Sequence, residues 1–290
     1  MSQPEGLRES KGYLLPTVEL VNSSEVLDEE RRSESHERIF ELPVEPSIPQ
    51  EIESTSTSLQ SKIGGDLKHF YSPETLTLLG IGFGAGSALA YTNADETLQE
   101  PFQRAFYENQ SSQFLKSFKE LGNGNLTVPV FAGAWVYGEL RPDDPFAGII
   151  GDWGERTSRG FIVGGPPILG LQMLTGGSRP GETGRDARWA PFQDNNGVSG
   201  HAFVGALPFI TAARMSDTTE LKALYYCGSV LVPLSRVNDN AHYSSQAALG
   251  WWVAYLSANA VNDTEEPVSR WRFFPYSDGA FTGVMGEIRY

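Results

Sequence analysis

Three short polar segments in the second half of this 290-residue chain constrain its fold more than any other feature. They are Gly177–Pro180, Val198–His201 and Ser235–His242. Together they contain two arginines and two histidines, and the Ser-Gly-His of the second segment opens an apolar helical run. Guanidinium forks and imidazoles are suited to binding a tetrahedral oxyanion and transferring it. We therefore expect a fold that brings these three segments to one site.

The apolar patterning between residues 66 and 263 predicts an all-α domain. Ser72 before Pro73 is typical of a helix start, and no alternating β pattern of any length occurs before residue 270. The expected helical stretches are 73–91, 93–121, 128–137, 146–175 as one helix or two with a break at 164–167, 199–215, 219–233 and 239–261. The polar loop 176–197 is long, which is typical of a functional loop.

The glycines at 80, 82, 84 and 86 admit two interpretations. They loosely fit a dinucleotide-binding pattern, but no strand precedes them and no βαβ pattern surrounds them. We expect instead a helix whose glycine face lets a neighbouring helix approach closely.

The two ends of the chain differ from the helical domain in composition. Residues 1–65 carry 13 acidic and 6 basic residues and few large apolar ones, which predicts a disordered acidic leader or linker. Order is expected to begin near Gly65. The tail, residues 264–290, has a turn sequence at Ser277-Asp278-Gly279 and predicts a short hairpin.

Charge and hydropathy limit the partners. A formal net charge of -14 argues against nucleic acid as a partner and against electrostatic docking on anionic lipid. Residues 1–30 lack the charged start and apolar core of a secretory signal, and no uncharged run is as apolar as a membrane span. A soluble chain, with membrane contact at most peripheral, is therefore expected. The single cysteine, Cys227, excludes an internal disulfide and is expected to be a small buried apolar residue.

The order of the motifs resembles the type 2 phosphatidic acid phosphatase superfamily, which includes bacterial class A acid phosphatases and vanadium-dependent haloperoxidases. The positions that match, with the intervals inside each segment intact, are Arg179, Pro180, Ser199, Gly200, His201, Ser235, Arg236 and His242. Three positions depart, because Gln172, Val198 and Gln246 stand where the family has Lys, Pro and Asp. The resemblance, which is to the soluble acid-phosphatase-like branch, implies a helical bundle with the site at one end. It also implies an extracytoplasmic or membrane-associated location.

The resemblance implies the hydrolysis of phosphomonoesters, small or lipid-like such as phosphatidic acid, through a phosphohistidine and without a metal. In that scheme His242 is the nucleophile, His201 exchanges a proton with the leaving oxygen and with water, and Gln246 orients His242. The phosphate-binding groups are Gln172, Arg179, Ser199, Gly200 and Arg236. No cofactor is expected, and no cluster in the sequence has metal-ligand spacing.

The departures keep two alternatives open. Gln172 brings no positive charge, so one cation is missing unless Arg185 or Arg188 replaces it. Gln246 is neutral and stabilises an imidazolium less than a carboxylate does, although Asp239 could compensate if it does not cap a helix. The first alternative is a haloperoxidase that holds vanadate on His242. The second is a catalytically degenerate phosphate-binding protein. Neither the substrate nor the oligomeric state is encoded in a readable motif.

Overall fold

Helices form most of the chain that the computed structural model describes, namely residues 58–106, 110–182 and 186–265 with two strands at 271–277 and 282–288. All of these residues belong to one unit, Thr55–Tyr290. The all-α expectation is therefore confirmed for the described residues between 58 and 265. Most of the expected leader, residues 1–57, lies outside the described residues.

The described elements follow one another in this order: α1 (Leu59–Phe70), α2 (Pro73–Tyr91), α3 (Ala94–Phe106), α4 (Gln110–Ser117), a 3-10 helix (Lys119–Gly122), α5 (Gly124–Glu139), α6 (Pro145–Thr175), α7 (Gly200–Met215), α8 (Thr219–Ser229), α9 (Leu231–Asn238), α10 (Ser244–Glu265), β1 (Trp271–Ser277) and β2 (Thr282–Ile288).

The paired helices α7 and α10 form the centre of the bundle. Their inward faces contribute most of the core, including Phe203, Leu207 and Ile210 from α7 and Val253 and Leu256 from α10, all of which are buried. Helices α1, α2 and α6 pack against α10, and α6, α8 and α9 pack against α7. Because α7 and α10 each begin beside a polar segment, their packing sets the position of those segments.

Close approaches at glycine fix how the helices meet. A Cβ on Gly82 or Gly86 would lie 2.4 Å from the Trp252 ring or 2.8 Å from the Leu249 side chain, so the glycine face of α2 does admit α10. At Gly250 a Cβ would lie 2.2 Å from the Ser199 carbonyl oxygen. Only glycine therefore allows α10 to lie directly against the start of α7.

Helix α1 begins at Leu59, so the expected start of order near Gly65 was wrong by several residues. Ser58 caps the helix by accepting the Ser61 N–H at 3.3 Å. Farther along, the Asp66 carboxylate accepts two hydrogen bonds from the Arg159 guanidinium of α6, at 2.6 and 2.8 Å, and both side chains are fully buried. A contact between residues so far apart in sequence is not visible in local composition.

The Arg159 guanidinium also bonds to Glu155 and Glu265 at the edge of the same contact. Burial alone would lower the pKa of Arg159, but the hydrogen bonds and charges of Asp66 and Glu265 raise it overall. Lys62 adds a 2.8 Å bond to Glu155. The cluster therefore joins α1, α6 and the end of α10 through charged groups rather than apolar ones.

Three expected boundaries needed correction, and the open choice between one helix and two over 146–175 is decided. The stretch 93–121 is divided into α3, α4 and the 3-10 helix, and the stretch 219–233 is divided at Val230, so that α9 carries Arg236. The stretch 146–175 is one helix, α6, which continues through Pro166 and Pro167. The last helix starts at Ser244 and not at Asp239. Cys227, expected to be buried, is exposed on α8.

The start of α10 has a tertiary cause. The buried Asp95 of α3 accepts the Ser245 N–H at 2.9 Å and the Ser245 hydroxyl at 2.5 Å. Asp95 thus acts as the helix cap from another element. Burial raises the pKa of its carboxyl, and the two bonds from Ser245 oppose that rise.

Among the described residues no single helix has the length and hydropathy of a membrane span. One pair, Pro73–Tyr91 with Ala94–Ala105, satisfies the length and composition criteria only when taken together, across a bend of 79°.

The two tail strands pair antiparallel, with Trp271 opposite Ile288 and Ser277 opposite Thr282. The hairpin expected in the tail therefore has a counterpart in the structure.

We predict that Asp66→Ala destabilises the fold by about 3–5 kcal/mol, because it leaves the buried Arg159 guanidinium without its main partner. Urea unfolding monitored by circular dichroism would measure the loss. A matched control is Arg104→Ala, which removes an exposed pair with Glu100 at 3.1 Å and should cost less than about 1 kcal/mol. Equal losses in the two variants would contradict a structural role for the buried pair.

Candidate functional site

The Ser-Gly-His segment forms the first turn of α7, as expected. Ser199 is fully buried, and its hydroxyl accepts the Ala202 N–H at 3.2 Å, which makes it the helix cap. Gly200 and His201 are the first two helical residues, where backbone N–H groups lack partners within the helix and attract an anion. The Ser199 hydroxyl therefore supports the helix start, and the amides that follow it are suited to binding phosphate.

The contact between His242 and Gln246 determines which ring nitrogen of His242 carries a proton. His242 Nδ1 lies 3.1 Å from Gln246 Oε1, and both side chains are buried. The same Oε1 accepts the Tyr243 N–H at 3.1 Å, and Gln246 Nε2 donates to the Ser178 carbonyl at 2.8 Å. These two backbone bonds fix which end of the amide is oxygen, so Nδ1 must carry the proton. In the neutral ring, Nε2 then carries the lone pair.

His242 lies in the turn before α10 and not inside a helix as expected. Its N–H donates to the Arg236 carbonyl at 3.3 Å, and the Ala241 N–H donates to the same oxygen at 3.0 Å. Asn240, which directly precedes Ala241, has a positive φ of 56°. This turn explains the spacing of the third segment, because it folds His242 back toward Arg236 of α9.

Burial lowers the pKa of His242 to about 4. Hydrogen bonding to Gln246 opposes the shift, whereas the positive charges of Arg236 and Arg179 add to it. The imidazole is therefore neutral at all but strongly acidic pH. A neutral ring with its lone pair on Nε2 is the form in which histidine acts as a nucleophile or ligates an oxyanion centre.

The positive charges of Arg179 and Arg236 both lower the pKa values of His201 and His242. Arg236 is buried, and its Nη1 lies 3.3 Å from Asp239. Burial lowers the pKa of Arg236; Asp239 opposes this and Arg179 contributes to it. Arg179 is exposed and donates from Nε to Asn196 Oδ1 at 3.0 Å. The Arg236 Nε makes no hydrogen bond within the described part of the chain.

His201 is accessible to solvent, although the protein around it removes part of its hydration. That desolvation lowers its pKa, and the charges of Arg236 and Lys119 lower it further while Glu120 opposes them. Sequence reasoning did not identify Lys119 and Glu120. They lie on the 3-10 helix, whose Gly122 packs against the backbone of His201 so tightly that a Cβ would be 2.8 Å from its carbonyl oxygen. No local signal marks them, because the contact joins residues about 80 apart in sequence.

Gln172 lies beside the first turn of α7, but its amide is already in use. Its Nε2 donates to the Val198 carbonyl at 3.0 Å and lies 3.0 Å from the position of a Cβ on Gly200. Gln172 therefore ties the end of α6 to the second segment and supplies no charge there. Val198, whose carbonyl accepts this bond, is fully buried.

Two of the groups considered as substitutes for the missing charges, Asp239 and Arg188, have other partners. Asp239 follows α9 and pairs with Arg236, so it neither caps α10 nor has a described bond to His242. Arg188 pairs with Asp186 at 3.4 Å, and Arg185 lies outside the described residues. The positive charges near the imidazoles are those of Arg179, Arg236 and Lys119.

The arrangement provides a neutral imidazole with a defined tautomer, a second imidazole at a helix start, and guanidinium groups near both. Such a set can bind a tetrahedral oxyanion and accept its central atom on nitrogen. In the described ranges, no group of three or more His, Cys, Asp or Glu side chains is arranged to hold a metal ion.

Comparison of the chain with family models, with curated proteins and with solved structures gave no significant match. The chemistry of the site residues is therefore what bears on function.

Proposed function

We propose that the chain is a metal-independent phosphatase that hydrolyses phosphomonoesters through a phosphohistidine on His242, as the resemblance to the type 2 phosphatidic acid phosphatase superfamily implies. Soluble phosphate esters and lipid phosphates such as phosphatidic acid are both candidate substrates. The observation that carries the proposal is the fixed orientation of the Gln246 amide, whose oxygen faces Nδ1 of His242. The proton of the neutral ring is therefore on Nδ1, and Nε2, which carries the lone pair, is the reactive atom.

In the first step the Nε2 lone pair of His242 forms a bond to phosphorus while the bond to the ester oxygen breaks. Arg179, Arg236 and the first amides of α7 balance the charge on the other phosphate oxygens. His201, in its protonated form, gives its proton to the leaving oxygen, and the alcohol departs. The phosphorylated ring keeps its Nδ1–H, which continues to donate to Gln246 Oε1.

In the second step a water oxygen attacks phosphorus and His201 takes up a proton from that water. The nitrogen–phosphorus bond breaks, its electron pair returns to Nε2, and inorganic phosphate is released. His201 ends the cycle protonated, as it began. Gln246 is a neutral partner for the charged ring, so it stabilises the intermediate less than a carboxylate would, which favours a slow enzyme.

We predict that His242→Ala lowers the hydrolysis of p-nitrophenyl phosphate by at least about 10³-fold, because it removes the nucleophile. Initial rates by absorbance would measure this, with orthovanadate as a competitive inhibitor of the unchanged protein. His69→Ala, on α1, is the matched control and should keep full activity. Unchanged activity in His242→Ala would contradict the assignment of the nucleophile.

The pH dependence follows from two lowered pKa values. Activity should rise as His242 loses its proton near pH 4 and fall as His201 loses its own, below the ordinary histidine value of 6.5. A plot of kcat/KM against pH should therefore be bell-shaped with its maximum on the acidic side of neutrality. A maximum above pH 7 would be inconsistent with His201 as the acid.

His201→Ala should affect substrates according to their leaving group. An alkyl phosphate needs a proton on its leaving oxygen, so its rate should fall by about 10²-fold or more, whereas p-nitrophenolate leaves unaided and its rate should fall much less. Parallel assays with glycerol phosphate and p-nitrophenyl phosphate test this. Equal losses would remove the proton-donor role.

The two alternative functions predict different results in the same assays. Oxidation of halide by peroxide that requires added vanadate would indicate a haloperoxidase. Saturable phosphate binding without turnover on any ester would indicate a degenerate binding protein, for which the neutral side chains of Gln172 and Gln246 provide the reason.

A further inference from the structure

A cavity of about 920 Å³ lies away from the candidate site, between α5, α6, α7 and α8 and beside the end of α10. Its volume is near the upper end of the range for small-molecule sites, about 300–1,000 Å³. The candidate site is at the first turn of α7, whereas the polar end of this cavity is at Arg214, in the last turn. Thirteen residues of helix between His201 and Arg214 correspond to about 20 Å, so the two regions are distinct.

The walls of the cavity are mainly apolar. They include aromatic and aliphatic side chains from four elements: Leu121, Phe131, Ile150, Trp153, Phe209 and Met215. The indole of Trp153 is fixed by a 2.9 Å bond from Nε1 to the Pro208 carbonyl. A hydrocarbon chain placed here would replace water on these surfaces, which is favourable in proportion to the area covered.

One end of the cavity is polar, and three buried side-chain atoms there have no partner among the described residues. Arg156 Nε, Thr211 Oγ1 and Arg214 Nε are buried and make no hydrogen bond to any described residue. All three residues line one recess of about 10 Å³ that adjoins the cavity through Arg156, Arg214 and Met215. That volume is about the smallest that admits an oxygen-sized atom. Because buried polar groups are normally paired, three unpaired donors around one recess can share a single acceptor oxygen, from a water or from the end of a ligand that enters from the cavity.

The charges on the lining are mixed, because Arg156 and Arg214 face the cavity together with Asp152, Asp217 and Glu265. Arg156 is balanced by Asp152 at 3.5 Å and Glu265 at 4.0 Å. Arg214 bonds to the Tyr255 hydroxyl at 3.1 Å and lies over the Tyr255 ring, but no described carboxylate pairs with it. Asp217, also on the lining, is exposed at the rim. Among the described residues, Arg214 is therefore the arginine of this lining that makes no ion pair, and it lies next to an apolar chamber.

We propose that this cavity is a binding site for a single-chain anionic amphiphile, with the hydrocarbon chain between α5, α6 and α7 and a carboxylate on Arg214, Arg156 and Thr211. A planar carboxylate matches the fork of a guanidinium, and its oxygens accept from all three donors. This site is independent of the chemistry proposed for His242.

Titration calorimetry with dodecanoate, below its micellar concentration, tests the proposal on the full chain. Dodecanoate should bind with a stoichiometry of one, and dodecyltrimethylammonium, which has the same chain and the opposite charge, should bind at least about 10-fold more weakly. Arg214→Gln should weaken dodecanoate binding by about 10-fold or more. Arg104→Gln, an exposed arginine on α3, should leave it unchanged.

A second variant tests the chamber without touching the charge. Ala212→Phe places a ring in the cavity and should abolish dodecanoate binding. Acetate, which lacks the hydrocarbon chain, should bind too weakly to detect in both the variant and the unchanged protein. Circular dichroism on both variants confirms folding. The proposal is overturned if Arg214→Gln and Ala212→Phe bind dodecanoate as tightly as the unchanged protein does. It is overturned as well if dodecyltrimethylammonium binds the unchanged protein as tightly as dodecanoate does. It is also overturned if orthovanadate displaces dodecanoate or His242→Ala loses it, since either result assigns binding to the candidate active site.

Discussion

The side chain and backbone of Gln246 join all three polar segments of the chain. Its amide nitrogen donates to the Ser178 carbonyl of the first segment, its backbone carbonyl accepts the Ser199 N–H of the second, and its amide oxygen faces His242 of the third. Every one of these groups is buried. A fully paired polar network of this kind specifies one arrangement, because any shift of α10 would leave several buried groups without partners. The site geometry thus depends on Gln246, which contacts all three segments at once.

The use of an amide at this position changes the electrostatics rather than the geometry. A carboxylate there would hold a proton on His242, whereas the neutral amide leaves burial and the two arginines to lower the pKa to about 4. In the proposed mechanism His242 is therefore a neutral nucleophile even at acidic pH, with weaker support for the charged intermediate. Gln172 is likewise a neutral amide held by a hydrogen bond, because its Nε2 ties α6 to the Val198 carbonyl.

The central helix α7 gives its two ends different environments. Its first turn meets arginines from neighbouring segments and is anion-binding by virtue of the helix dipole. Its last turn carries Arg214, whose positive charge interacts favourably with the carboxyl end of the helix dipole. Arg214 also lies next to an apolar cavity. The close approach of Gly250 to Ser199 and the charged cluster around Arg159 hold the helices that surround α7. Rigid packing along one helix therefore positions two polar ends about 20 Å apart.

The sequence by itself determined the helical class, the capped starts at Ser72 and Ser199, and the set of motif residues that the site contains, because caps and short motifs depend on neighbours within a few residues. Tertiary structure alone decided the start of α10, which the distant Asp95 caps, and the break that gives α9 its own direction. It also decided the bond that occupies Gln172, the place of Lys119 near His201, and the cavity beside Arg214. Each of these depends on contacts between residues tens of positions apart, and no local pattern of hydrophobicity or turn chemistry encodes which distant partner a buried polar group will meet.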